Sequence, residues 1–164
     1  MNDANFQFVA TLANDVQEAI FAVLRNHNLS QNAAFFSARD LPENASKPLN
    51  IVTFDARGTV IGGLIAETQF AWLKVSAMAV AEQSRRRGIG RRLLELAEQE
   101  ALSRGCHHVY LETMDYQAPE FYRKLDYHLA TILRNWDSYG HSKYVFTKEF
   151  SGFQASEERL KTDG

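Results

Sequence analysis

The sequence predicts a mixed α/β fold: a central, mostly antiparallel mixed sheet with one parallel strand–helix–strand crossover and helices on both faces. Three observations carry that prediction. Leu49–Phe54 and Thr59–Thr68 are extended runs joined by Asp55-Ala56-Arg57-Gly58, the pattern of an antiparallel hairpin. An apolar strand ending at Val80 is followed by a glycine-bearing loop, an amphipathic helix and the strand Val109–Thr113. Such a crossover joins parallel strands and is right-handed. Two further strands, Tyr127–Leu133 and Ser142–Phe150, follow a short helix.

In chain order, Phe6–Ala10 reads as a first strand. From Asp15, Val16, Ala19, Ile20, Val23 and Leu24 recur at helical spacing, with Asn14 or Asp15 as cap. Asn26–Leu29 breaks that helix and Ser30–Ala38 forms a second, short one. Leu41–Pro48 is a loop flanked by Pro42 and Pro48. Gly58 supplies positive φ to the hairpin turn. Gly62 and Gly63 mark a bulge or a close backbone approach. Ala71–Val80 is apolar on both faces in its second half, as a central, covered strand would be. The next helix runs from about Gly88 to Arg104 with Ile89, Leu93, Leu96, Ala97 and Ala101 as its apolar stripe, and Gly105 stops it. Pro119 opens another helix, with Ala118, Phe121, Tyr122 and Leu125 on its apolar side.

The 164 residues suffice for one domain, expected over 1–150, with a polar tail over 151–164 and a weak helical turn at Glu157–Lys161. The net charge of −2 lacks the basic excess of a nucleic-acid binder. One cysteine, Cys106, excludes an internal disulfide and suits a reducing compartment. No apolar run approaches the roughly 20 residues of a membrane span. The first residues lack the basic start and apolar centre of a signal peptide, so a cytoplasmic location is expected, with no membrane partner.

The chemistry centres on Arg85-Arg86-Arg87-Gly88-Ile89-Gly90, followed by Arg91 and Arg92. Glycine lets main-chain N–H groups face a ligand. A helix start leaves its first N–H groups unpaired and carries partial positive charge. A phosphate or pyrophosphate is the ligand such a loop fits. Two other phosphate-loop classes fit poorly. The string G-x-x-x-x-G-K-[ST] is absent. A dinucleotide loop starting at Gly88 would need a third glycine where Leu93 stands.

Element order and motifs together resemble the GNAT superfamily of N-acetyltransferases over roughly Leu49 to Phe150. Arg85–Gly90 matches that family's R/Q-x-x-G-x-G/A acetyl-CoA loop. Ala118-Pro119-Glu120-Phe121-Tyr122-Arg123-Lys124-Leu125-Asp126-Tyr127 is similar to its A-x-x-x-Y-x-x-x-G-F/Y segment. The subgroup with FQAPEFY and a later GH is echoed by Tyr116–Tyr122 and Gly140-His141. Three positions depart from the pattern. Ala71–Val80 holds no Asp or Glu, an asparagine position is Asp115, and the glycine before the last aromatic is Asp126. Aspartate still tolerates a left-handed backbone.

The resemblance implies acetyl-CoA as co-substrate, no metal, and often a homodimer. It implies that main-chain groups from Arg86 to Arg91 hold the pyrophosphate. Of the arginine side chains, Arg85 and Arg87 are expected on phosphates and Arg86 in solvent. The resemblance also implies that Met78, Ala79 and Val80 bond the pantetheine arm where the strands ending at Val80 and Thr113 splay, and that Tyr122 is the general acid. A phenol, with a pKa of about 10, is protonated at neutral pH. The acceptor amine must lose a proton, and Glu112, Glu67, Asp115 and His141 are candidate bases, beside a water chain with none. Glu112 ranks first, since it alternates away from Leu111 beside the expected slot. Trp136, Asp137 and Tyr139 combine aromatic faces with a carboxylate and form a candidate pocket for a cationic acceptor. Cys106 reads as an unreactive packing residue. His107-His108 has no partners at metal-ligand spacing. The non-enzymatic alternative is an acyl-CoA-binding sensor of the same fold.

Overall fold

The structure, a computed structural model, describes residues 4–150. Its main elements are α1 (Asn14–Gln31), α2 (Ala33–Arg39), β1 (Lys47–Phe54), β2 (Val60–Gln69) and β3 (Trp72–Val80). They continue with α3 (Ile89–Ser103), β4 (His108–Met114), α4 (Pro119–Arg123), β5 (His128–Leu133) and β6 (Lys143–Glu149). Contacts divide the chain into two units, Met1–Ala45 and Ser46–Gly164. The tail 151–164 and its expected turn lie outside the described residues.

The first unit corrects three expectations. Phe6–Ala10 is not a strand: its apolar alternation meets no neighbouring strand among the described residues, and a ladder needs two. Helix α1 runs through Asn26–Leu29 to Gln31, and the break falls at Asn32, with φ −146° and ψ 60°. The Asn32 side chain then caps α2, accepting from the Phe35 N–H at 3.2 Å. The N-cap of α1 is Ala13, with no side-chain bond, so neither Asn14 nor Asp15 caps it. Asp15 instead sits in the first turn, where negative charge is favourable.

In the second unit the described residues form a six-stranded sheet in the order β1-β2-β3-β4-β6-β5. Every pairing is antiparallel except β3 with β4. This is the mixed α/β class expected. The β1–β2 turn closes as predicted: the Asp55 carboxylate accepts the N–H groups of Arg57 and Thr59, and Gly58 takes φ +79°. A Cβ on Gly62 would lie 3.0 Å from the Ala79 oxygen, and one on Gly63 2.9 Å from that of Ile51. Both glycines therefore serve close backbone approach.

Strand β3 departs from the expected covered strand. Ala66 pairs with Val75 and Ile65 with Ala77, which leaves Ser76 as the extra residue of a bulge. Leu73 and Val75 are buried before it; after it, Met78 and Val80 are only partly covered and Ala77 and Ala79 are exposed. The central position is as predicted, but the second half is open.

Helix α3 packs its buried Leu93, Leu94, Ala97 and Ala101 onto the sheet, with Leu64, Leu73, Val109, Leu111 and Phe146 fully buried in the same core. Leu94 joins the expected stripe; Ala118, expected on the apolar side of α4, is exposed and takes φ +72°. Asp126 adopts φ +63°, the left-handed conformation its place in the motif requires.

A buried polar group ties α3 to the far strands. The Tyr127 hydroxyl donates to Glu98 at 2.8 Å, and the Lys148 ammonium donates to the other Glu98 oxygen at 2.9 Å. Burial, then the Glu98 carboxylate, pushes the Tyr127 hydroxyl pKa far up. Tyr127→Phe removes a bond to a charged acceptor and is expected to cost about 1.5–3 kcal/mol in chemical denaturation. A raised folded-state pKa contributes stability fully below the unfolded value, near pH 10, and loses it as pH rises beyond. The alkaline decline in wild-type stability is therefore expected to be shallower in this variant.

Candidate active site

The loop after β3 is built by three local constraints. The Arg85 Nε donates to the Val80 carbonyl at 3.1 Å, folding the loop back on its strand. Arg86 takes φ +59° and Gly88 φ +79°, and Gly88 is the N-cap of α3. The first bond of α3 runs from the Arg92 N–H to the Gly88 carbonyl at 3.0 Å. The N–H groups of Ile89, Gly90 and Arg91 precede it and lack intrahelical acceptors. The two glycines differ in purpose. A Cβ on Gly88 would meet open space, so conformation selects glycine there; on Gly90 it would lie 3.2 Å from the Phe121 ring, so packing against α4 selects it. Arg86, Arg87 and Arg91 are exposed and make no ion pair among the described residues, whereas Arg92 pairs with Glu95 at 3.5 Å. A helix start, open N–H groups and free cations together fit a diphosphate.

Beside the loop, the parallel pair separates. β3 and β4 pair only from Trp72↔His108 to Val75↔Leu111, then β3 continues to Val80 and β4 to Met114. Main-chain groups on an antiparallel strand alternate sides. The Ala81 N–H bonds Ile61 on the β2 side, so Met78 and Val80 turn theirs toward the gap. Arg85 occupies the Val80 carbonyl, leaving the Val80 N–H and the Met78 groups for an extended ligand. Ala79 faces β2, so of the three expected pantetheine contacts it is the least available.

Tyr122 enters from α4. Its ring is buried against Phe121, Tyr127 and Phe146, with centroids 5.2, 5.8 and 5.8 Å away. Burial raises its pKa above the ordinary phenol value. Its hydroxyl bonds no described residue and keeps an edge open to solvent.

The candidate bases fare differently. Glu112 faces away from the buried Leu111 and Thr113, as expected, but its carboxylate holds the Lys143 ammonium at 2.7 Å. Glu67 accepts from Ser46 at 2.6 Å and pairs with Lys74 at 3.3 Å; those two partners hold its carboxyl below the usual range. Asp115 and His141 come together: Oδ1 of Asp115 lies 3.0 Å from Nδ1 of His141, and Oδ2 accepts the Ser142 N–H at 2.8 Å. The Ser142 N–H and then His141 lower the Asp115 pKa. Trp136 carries the Lys143 ammonium 4.0 Å from its ring centroid. Asp137 turns one carboxylate oxygen to its own loop, accepting from the Tyr139 and His141 N–H groups. Cys106 is fully buried and desolvation raises its thiol pKa, consistent with a packing role. His108 stacks on Trp72 at 4.6 Å.

Comparison with known proteins decides the family. Residues 16–127 match the model of the acetyltransferase (GNAT) family. The chain belongs to the GNAT family. It is 32% identical over 130 residues to a blasticidin-S acetyltransferase of Streptomyces morookaense, covering 77% of this chain and 95% of that one. Among solved structures, an acetyltransferase from Bacillus cereus superposes with TM-score 0.68 at 25% identity, covering 88% of this chain and 98% of that one. A Bacillus anthracis protein named as a streptothricin acetyltransferase, solved in complex with acetyl coenzyme A, superposes with TM-score 0.58 at 17% identity, over 69% and 70% of the two chains.

Sequence reasoning missed Lys143, the partner of Glu112. On the β4–β6 ladder it pairs with Met114, diagonal to Glu112, which faces Val145. That register was the only signal, and it needs the strand order. Gln117 was also missed; its side chain accepts the Met114 N–H at 2.9 Å and caps the turn leading to α4.

Proposed function

We propose that the protein transfers the acetyl group of acetyl-CoA to a primary amine of a small molecule, by direct attack in a ternary complex. The observation that carries this reading is the gap between β3 and β4, with the Gly88 loop at one side and Tyr122 on the neighbouring helix. When bound, the thioester supplies the acyl carbon. The N–H groups of Ile89, Gly90 and Arg91 hold the diphosphate, with Arg86 and Arg87 supplying charge. The Val80 N–H polarises the acyl carbonyl. Tyr122 donates its proton to the departing thiolate, which its raised pKa keeps available. The amine nitrogen gains the acyl carbon as the C–S bond breaks.

The relatives named for blasticidin S and streptothricin direct the choice of acceptor toward amine-bearing antibiotics. The test is incubation with acetyl-CoA and blasticidin S, streptothricin, an aminoglycoside, spermidine and free amino acids, following thiol release and product mass. Acetylation of any amine supports the reading. The Glu112–Lys143 pair favours one second reading, a non-catalytic acyl-CoA sensor. Acetyl-CoA binding without turnover of any acceptor would select it.

A further inference from the structure

His141 is held more firmly than a surface histidine needs to be. Its N–H donates to Asp137 at 3.2 Å and its carbonyl accepts the Trp136 N–H at 2.8 Å. Next to it, the Gly140 N–H donates to the Asn135 side chain at 2.7 Å. The ring is pinned at Nδ1 by Asp115 and flanked edge-on by Tyr116 at 5.0 Å. Asp115 is in turn locked to Ser142 by two bonds, its N–H to the Ser142 carbonyl at 3.0 Å and the Ser142 N–H to Oδ2. Asp115 follows Met114, so this pair sits at the end of β4 that has parted from β3. Ligands of parallel strands bind beyond those carboxyl ends.

We infer that His141 is the general base for the acceptor ammonium, and that Asp115 is the positioning residue that fixes its tautomer. This rests on the acetyl-transfer reading. An ionised carboxylate only accepts, so Nδ1 must carry the hydrogen and Nε2 keeps its lone pair. The ring is half exposed, which leaves Nε2 reachable. Nε2 takes one proton from the ammonium, and Asp115 stabilises the imidazolium that results. The neutral nitrogen forms the C–N bond, the C–S bond breaks, and the thiolate takes the Tyr122 proton. The second proton shed by nitrogen restores Tyr122 through water, and His141 returns its proton to solvent. The charged groups around His141 are Asp115 beside β4, Asp137 in its own loop, and on the strands Lys143, whose ammonium is shared with Glu112. The Glu112 carboxylate is engaged by that ammonium at 2.7 Å, whereas Nε2 of His141 bonds no described residue and is left open to an acceptor.

The experiment compares n-butylamine, ionised at neutral pH, with methoxyamine, which is not. Both are small enough to need no shaped acceptor pocket. His141→Gln is expected to lower kcat with n-butylamine by about 10²–10⁴-fold. With methoxyamine the loss is under about tenfold, since no proton must first be removed. The KM for acetyl-CoA stays as in wild type. The acid limb of kcat/KM against pH disappears in His141→Gln. In Asp115→Asn the side-chain amide can donate to Nδ1, so the neutral ring carries its proton on Nε2 and kcat with n-butylamine falls while the KM for acetyl-CoA holds. Equal losses with both amines, or no loss with either, would overturn the assignment. Nitrogen-15 NMR of the full chain supplies a readout independent of turnover. At alkaline pH, Nδ1 of His141 is protonated and Nε2 bare in wild type. A proton on Nε2 instead overturns the proposal even if no amine is acetylated, a result that would separately refute the transferase reading.

Discussion

Tyr122→Phe is expected to lower kcat by about 10²–10⁴-fold while leaving acetyl-CoA affinity within about threefold. The ring lies between Phe121, Tyr127 and Phe146, and a phenylalanine keeps all three contacts. No described residue bonds the hydroxyl, so its loss strands no buried partner. A structural tyrosine would behave otherwise: Tyr127, bonded to Glu98, is the internal contrast. Tyr122→Phe should therefore melt within about 0.5 kcal/mol of wild type, because removing an unpaired hydroxyl is nearly neutral. Burial raises the Tyr122 pKa, so the proton it donates is retained through neutral and mildly alkaline pH. The alkaline fall of wild-type kcat is accordingly expected above the ordinary phenol range. Steady-state kinetics with a turned-over amine, beside calorimetric titration of acetyl-CoA, reads both quantities. Wild-type turnover in the variant would remove Tyr122 from the mechanism.

What the sequence revealed was local. The Asp55–Gly58 turn, the α3 periodicity and the glycine after it each depend on residues within one turn or one helix, and each was readable. Asp126 was readable for the same reason: its left-handed backbone follows from the position of one residue. What stayed hidden depends on partners far along the chain. Phe6–Ala10 alternates like a strand, yet a strand exists only where another strand lies beside it. The insertion of β6 between β4 and β5 sets which side chains meet across the ladder, and no periodicity encodes it. That insertion brings Lys143 to Glu112 and Ser142 to Asp115, across 31 and 27 residues. The candidate site was legible as a set of residue types at the right motif positions. The pairing that distinguishes an available base from an engaged one was not, because it is a property of register.

Gly88→Glu is expected to weaken acetyl-CoA binding by about 30- to 1000-fold, or roughly 2–4 kcal/mol. Two effects contribute. Gly88 holds φ +79°, where an L-residue costs about 1–2 kcal/mol. The added carboxylate also stands at the start of α3, where the N–H groups of Ile89, Gly90 and Arg91 face an anion, and like charges there repel. Steric conflict within the protein is not a third effect, since a Cβ at Gly88 meets nothing within 4 Å. Gly58 separates the two contributions. It also holds φ +79° in open space, but in the β1–β2 turn rather than at the start of α3. Gly58→Glu should lose similar folding stability and bind acetyl-CoA normally. Gly88→Ala, carrying strain without charge, should fall between the two. Raised salt should narrow the gap between Gly88→Glu and Gly88→Ala, because screening weakens the repulsion but not the backbone strain. Calorimetric titration of the coenzyme into the three variants orders them. Equal affinity for Gly88→Glu and Gly58→Glu would mean that no diphosphate approaches the α3 N-terminus, and the site would have to lie elsewhere.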